Sequence, residues 1–242
     1  MKKTLLVSMA FGLALAVGNA YAGTTPASGI LGSAHDLGDD NLDGKGDQRV
    51  CVYCHTPHYS QAPTVGGNLD YSPLWNKDLS TIVSWQLYDN GQDPTGGRHA
   101  LNANLQIPTS VSLLCLSCHD GSVALNAYGN DQSNPLNNYQ YAGGGPNSNI
   151  TDYAPSKVIG LGGDLSVHHP VEFDYEEVAL ADPEIAPSSA TMIADLQIKD
   201  LLAGNTMTCA SCHDVHNTQS VEDMFVWQTN VRSEFCFVCH LK

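Results

Sequence analysis

Eight cysteines and ten histidines carry the chemistry of this 242-residue chain, and their spacing is not that of a random sequence. All eight cysteines fall in Cys-x-x-Cys-His, repeated four times: Cys51/Cys54/His55, Cys115/Cys118/His119, Cys209/Cys212/His213 and Cys236/Cys239/His240. Two thiols three residues apart lie about one helical turn from each other, which suits the two vinyl positions on one edge of a haem. The adjacent histidine then projects over the ring and binds iron as the proximal ligand. Disulfide bonding alone would not require a histidine after every second cysteine. Structural zinc uses Cys-x-x-Cys pairs, but seldom with this fifth residue each time. The pattern therefore predicts four covalently attached c-type haems, with no cysteine left for a disulfide.

Four irons need four sixth ligands. The remaining histidines are His35, His58, His99, His168, His169 and His216, and the methionines after residue 22 are Met192, Met207 and Met224. His58 and His216 each stand three residues after a proximal histidine. On a helical turn, i and i+3 share a face, so neither can approach the iron of its own motif from the opposite side. Each must serve a different iron, and two haems must then lie close together. The same spacing reveals a repeat: residues 51–119 and 209–240 both read Cys-x-x-Cys-His-x-x-His, a spacer, then a plain Cys-x-x-Cys-His. Each repeat is expected to build one haem pair.

With these motifs in view, the chain resembles the doubled Cys-x-x-Cys-His multihaem cytochromes, and most of all the OmcE-like tetrahaem proteins that polymerise into extracellular filaments. The resemblance rests on Gly32-Ser33-Ala34-His35-Asp36, Cys51 to His58, Pro73-Leu74-Trp75-Asn76, Leu113 to Gly121, Leu161 to Val171, Cys209 to His216 and Cys236 to His240. It implies that His35 and His169 are distal ligands, joining His58 and His216. His168 falls where the family need not have a histidine and is ranked as a spare. His99 matches nothing in the family and reads as a solvated loop residue. The family's Trp-Asn is often followed by His, whereas Lys77 stands here, so no ligand is carried over from that position.

The elements that must hold these groups are sparse. Residues 1–22 read as a secretory signal: Lys2 and Lys3, an apolar stretch from Leu5 to Val17, then Ala20-Tyr21-Ala22. The apolar run is shorter than the ~20 residues a membrane span needs. The expected mature unit is 23–242, one tetrahaem unit that is secreted to the cell surface or medium, with the periplasm as the alternative. It carries eight basic against 25 acidic side chains, −17 before any cofactor. Such a charge disfavours nucleic acid and anionic membranes as partners. Asn126 to Ile150 reads as a surface loop, and Met192 to Leu202 as a short helix ended by Gly204. Leu79 to Leu87 suits either strand or helix. The expected fold is mostly coil with short helices and little β structure, organised around four stacked haems that supply the core.

Asp39, Asn41 and Asp43 alternate before Gly44 as in a calcium loop, with Asp47 at the ninth position. Val50 occupies the twelfth, where a bidentate Glu is required, so a solvated acidic turn competes with calcium binding.

The function classes in competition are an electron conduit and a multihaem reductase. A reductase needs an iron with an open sixth position. Enough histidines exist here to close all four, and no nucleotide or flavin motif appears, so a conduit without catalytic residues is expected. Its partners would be other redox cytochromes or extracellular acceptors, and itself in a head-to-tail homopolymer. His240 is two residues from the C-terminus and His55 follows Gly23 by only 32 residues. Terminal haems would then meet between subunits, with His58 reaching the haem on His240 of a neighbour.

Overall fold

The computed structural model describes residues 27–37, 50–58, 60, 73–88, 105–125, 149–219 and 225–241. Residues 1–22, expected to be a signal, the acidic stretch with Asp39, Asn41 and Asp43, residue His99 and residues 126–148 lie outside this set. Among the described residues, regular structure is short. The helices are α1 (Val111–His119), α2 (Ile150–Tyr153), α3 (Tyr175–Ala181), α4 (Cys209–Cys212) and α5 (Cys236–Cys239). The strands are β1 (Phe173–Asp174), β2 (Thr191–Ile193), β3 (Leu196–Gln197) and β4 (Thr206–Met207), paired antiparallel as β1–β4 and β2–β3. Most of the remaining backbone is turn and coil. No helix among the described residues is long and apolar enough to cross a membrane.

The longer helices have local reasons to form. Ser110 caps α1 by accepting from the Ser112 N–H, and Asp174 caps α3 by accepting from the Glu177 N–H. Glu176 and Glu177 place negative charge in the first turn of α3, where the helix dipole favours it. The Tyr175 hydroxyl donates to the Ala186 carbonyl at 2.9 Å and fastens α3 to the segment that follows.

The expected helix over Met192 to Leu202 is replaced by a tight β2–β3 hairpin and a 3-10 turn at Ile198–Leu201. Ala194 sits at φ 48°, in the left-handed region, so the chain reverses there and cannot continue as a right-handed helix. Burial still follows the apolar pattern, because Met192 and Ile198 both reach the core from the two arms. Gly204, at φ 65°, serves a second reversal in which Ala203 and Thr206 exchange backbone hydrogen bonds at 3.0 Å. Residues 79–87 are neither helix nor named strand; Gln86 bonds Gly163 and Leu165 through its backbone at 2.8 Å. That approach needs Gly163, whose φ is 90° and whose missing Cβ would overlap the Ser84 carbonyl.

Packing is divided among small apolar groups, each touching the cysteine motifs. Phe173, Tyr175, Val178, Ala186, Met192, Ile198 and Met207 form the largest, with Cys212, Phe235, Val238 and Cys239 against it. Tyr53, Leu125 and Ile150 form a second, flanked by Cys54 and Cys118. Trp75 and Leu114 form a third, again touching Cys54. The core thus converges on the residues that bear the chemistry.

Candidate haem-binding centre

Each Cys-x-x-Cys-His motif is one closed turn. The histidine N–H bonds the first cysteine's carbonyl at 2.8 Å for His55, 3.0 Å for His213 and 2.9 Å for His240, while Cys115, Cys118 and His119 end α1. Neighbouring segments fasten these turns. Asn76 bonds the Cys54 carbonyl through its N–H at 2.9 Å and the Val52 carbonyl through its side chain. Trp227 does the equivalent at the third motif, its ring N–H on the Ala210 carbonyl at 2.8 Å and its backbone N–H on Cys212. The Ala186 N–H bonds the Cys239 carbonyl at 2.9 Å.

The motifs are neighbours in chain order. Cys54 and Cys118 pack in one cluster, and Cys212 and Cys239 in another. Between the two repeats, the Cys209 N–H donates to Ser112 Oγ at 3.1 Å, and the thiols of Cys115 and Cys209 are near enough to shift each other's ionisation. All eight cysteines are free thiols. Burial pushes the Cys54 and Cys212 thiols up to about 12, which keeps them from being reactive thiolates at neutral pH.

The histidines fall into pairs. His55 faces His216 with ring centroids 6.3 Å apart, His119 faces His35 at 6.2 Å, and His240 faces His169 at 6.3 Å. A metal–imidazole bond of about 2.0 Å, with the ring centre roughly 1.1 Å behind the nitrogen, puts two trans-axial rings about 6.2 Å apart. Direct ring packing spans about 4.5–7 Å; here the spacing recurs in three pairs that each join a motif histidine to one outside the motifs. The interplanar angles, 29°, 84° and 72°, differ as they can for rings that share only an axis.

Ring orientation points the same way. His55, His119 and His213 direct Nδ1 at the carbonyls of Pro73 (2.5 Å), Lys157 (2.8 Å) and Phe225 (3.0 Å), and His169 directs Nδ1 at the Pro170 carbonyl (2.9 Å). An Nδ1–H donated to a carbonyl fixes the tautomer and leaves Nε2 as the free lone pair, the usual outer-sphere arrangement of a metal-bound histidine. Burial, and after it the neighbouring His119, lowers His35 to about 4, so its imidazole is in the neutral, ligating form.

Two buried ring nitrogens among the described residues lack a hydrogen-bond partner, His35 Nδ1 and Trp75 Nε1. The Val215 carbonyl lies toward His35 but outside good hydrogen-bond geometry. Trp75 stands edge-on to His55, 6.2 Å between ring centres. Both orphans therefore adjoin the histidine pairs, where a haem's carboxylates and polar edge would offer acceptors. No group of three or more His, Cys, Asp or Glu among the described residues is arranged to hold a metal ion alone. Two axial imidazoles suit a group that brings four equatorial nitrogens of its own; they do not suit tetrahedral zinc. The residues fit haem.

His216 follows the third motif and faces His55 of the first. Asp214 holds it there: its carboxylate accepts from the backbone of His216, Thr218 and Gln219 and from the Thr218 hydroxyl. Asn217, buried and at φ 53°, straps this loop to the N-terminal segment by exchanging hydrogen bonds with Gly29. Ser33 then accepts from the His35 N–H at 3.1 Å. Sequence reasoning missed Asp214 and Asn217, which carry no signal beyond their place in the Cys-x-x-Cys-His-Asp-Val-His-Asn run.

His240 faces His169 of its own chain. The proximal histidine with no imidazole facing it among the described residues is His213. His58 is exposed and likewise faces none, and His168 belongs to no pair. The chain matches no family model and no curated protein sequence.

Proposed function

We propose that this chain is a tetrahaem c-type cytochrome that transfers electrons and assembles head to tail into an extracellular filament. The observation that carries the electron-transfer reading is the set of three histidine pairs at 6.2–6.3 Å, each built on a Cys-x-x-Cys-His motif. Bound haem iron would supply a one-electron ferric/ferrous couple at each motif. The cysteines anchor the groups, and the proximal carbonyl contacts orient His55, His119 and His213. His216, His35 and His169 close the opposite faces against substrate, which favours a conduit over a reductase. The neighbouring Cys54/Cys118, Cys115/Cys209 and Cys212/Cys239 support an electron path that follows the order of the motifs along the chain.

The filament reading rests on the resemblance and on two of the unmatched imidazoles among the described residues, His58 and His213. His58 of one subunit would complete the site of His213 in the next. Such a heterologous contact gives an open helical polymer when its rotation does not close.

The test of attachment is the intact mass of the secreted protein under denaturing conditions. The expected mass is that of the chain from Gly23 plus four haems. A mass with none, or with eight hydrogens lost to four disulfides, would overturn the reading.

A further inference from the structure

Lys77 is 1% exposed and is the one buried cation among the described residues, in a chain that also buries Asp36, Asp120, Glu172 and Asp214. Burying an ammonium is costly unless something recovers the solvation lost. Its Nζ donates to the Ala124 carbonyl at 2.5 Å, and no carboxylate of the described residues forms an ion pair with it. One neutral acceptor is poor compensation for a charge that a methionine of similar size would avoid.

Its position suggests a use. Asn76, the preceding residue, bonds the backbone of Val52 and Cys54. Ala124, its acceptor, precedes Leu125, which packs in one cluster with Tyr53, Cys54 and Cys118. The ammonium is close enough to both cysteines to favour their charged forms. At Cys118 it is opposed by the buried Asp120, whereas at Cys54 no acid of the described residues opposes it. At the junction of the repeats the sign reverses. Glu172, 3% exposed, accepts from the Ser110 hydroxyl at 2.5 Å and the Thr109 N–H at 3.4 Å, and its charge acts on Cys209.

We infer that Lys77 is a potential-setting residue that makes the haem on Cys54 and His55 the most easily reduced of the four. This rests on haem attachment as proposed above. Reduction lowers the charge of the iron centre by one, so a fixed positive charge nearby favours the ferrous form, and in a poorly solvated interior the effect is large. An electron arriving from another iron of the array leaves that iron ferric and turns the first iron ferrous; no proton or atom moves. Electrons therefore come to rest at the first motif, which gives the array a direction.

The experiment is a spectroelectrochemical titration of holoprotein resolved into four one-electron waves, with covalent haem counted in every sample. Lys77→Gln removes the charge but keeps a donor for the Ala124 carbonyl; Lys77→Arg keeps the charge. In Lys77→Gln the most positive wave is expected to move down by at least a tenfold change in reduction equilibrium, about 59 mV for one electron. Lys77→Arg should leave it in place, and Glu172→Gln should move a different wave upward. With four haems retained, a smaller shift, a shift of another wave, or the same shift in Lys77→Arg overturns the inference and leaves the haem reading intact. If Lys77→Gln cannot be purified, a Glu172→Gln shift in the most positive wave overturns it equally. Wild-type protein without covalent haem would instead overturn the reading beneath it.

Discussion

Replacing Cys212 or Cys239 with serine should cost the protein most of its folded yield, not merely one haem. Both side chains pack against the largest apolar group, with Phe173, Tyr175 and Met207 behind them. If a haem buries on the order of 400 Å² of apolar surface, its attachment contributes up to about 10 kcal/mol to folding. Whole domains are stable by only about 5–15 kcal/mol, so losing one such contribution is enough to unfold the chain. The short helices cannot compensate: α4 and α5 are single turns, below the length at which a helix holds without packing. The check is limited proteolysis and soluble yield of Cys212→Ser and Cys239→Ser against wild type. A compact, protease-resistant chain made without haem attachment would contradict the account.

The second large effect is expected from His58→Ala. Its side chain is exposed and faces no imidazole of its own chain among the described residues, while His35, His169 and His216 are each opposed by a motif histidine. If His58 closes the His213 site across subunits, the interface includes a metal–ligand bond. Removing the imidazole should leave particles near monomer size and convert about one iron in four to high spin or to a substitute ligand. Assembly works against a net charge of −17, so added salt should lengthen wild-type polymers by screening. The measurements are particle size by light scattering and electron microscopy of sheared material, at several salt concentrations. Wild type that is monomeric over a wide concentration range would replace the filament by a soluble shuttle. A variant that polymerises as wild type does, with an unchanged spectrum, would free His58 of this role.

Much of the candidate site was legible in the sequence because its cysteine motifs are local. Cys-x-x-Cys-His needs no tertiary information, and the i+3 position of His216 points away from its own motif's histidine. What the spacing could not supply was partnership. His216 meets His55 across 161 positions of sequence, held by Asp214 and by the Asn217 strap to Gly29. The contact between His240 and His169 was out of reach for the same reason, since it brings together segments far apart in sequence while Glu172 to Tyr175 fold back along β4. The fold itself was legible only in its poverty of regular structure. Met192 to Leu202 carries enough apolar residues for a helix, yet the reversal at Ala194 sets both Met192 and Ile198 into the core from a hairpin. Periodicity alone does not separate those outcomes over so short a stretch. Lys77 was visible as a departure from the resembling family, but its burial was not.

The central claim is that histidine pairs close these irons in a defined pairing: His55 with His216, His119 with His35, and His240 with His169. Electron paramagnetic resonance of the oxidised protein tests it most directly, on wild type and on the His35, His169 and His216 alanine variants. Wild-type filaments should show low-spin ferric signals only. Each variant should convert one iron to high spin or to a substitute ligand, while His168→Ala and His99→Ala change nothing. A strong high-spin signal in assembled wild type, or an unaltered low-spin spectrum in His169→Ala, would contradict the pairing and reopen the case for an iron that binds substrate.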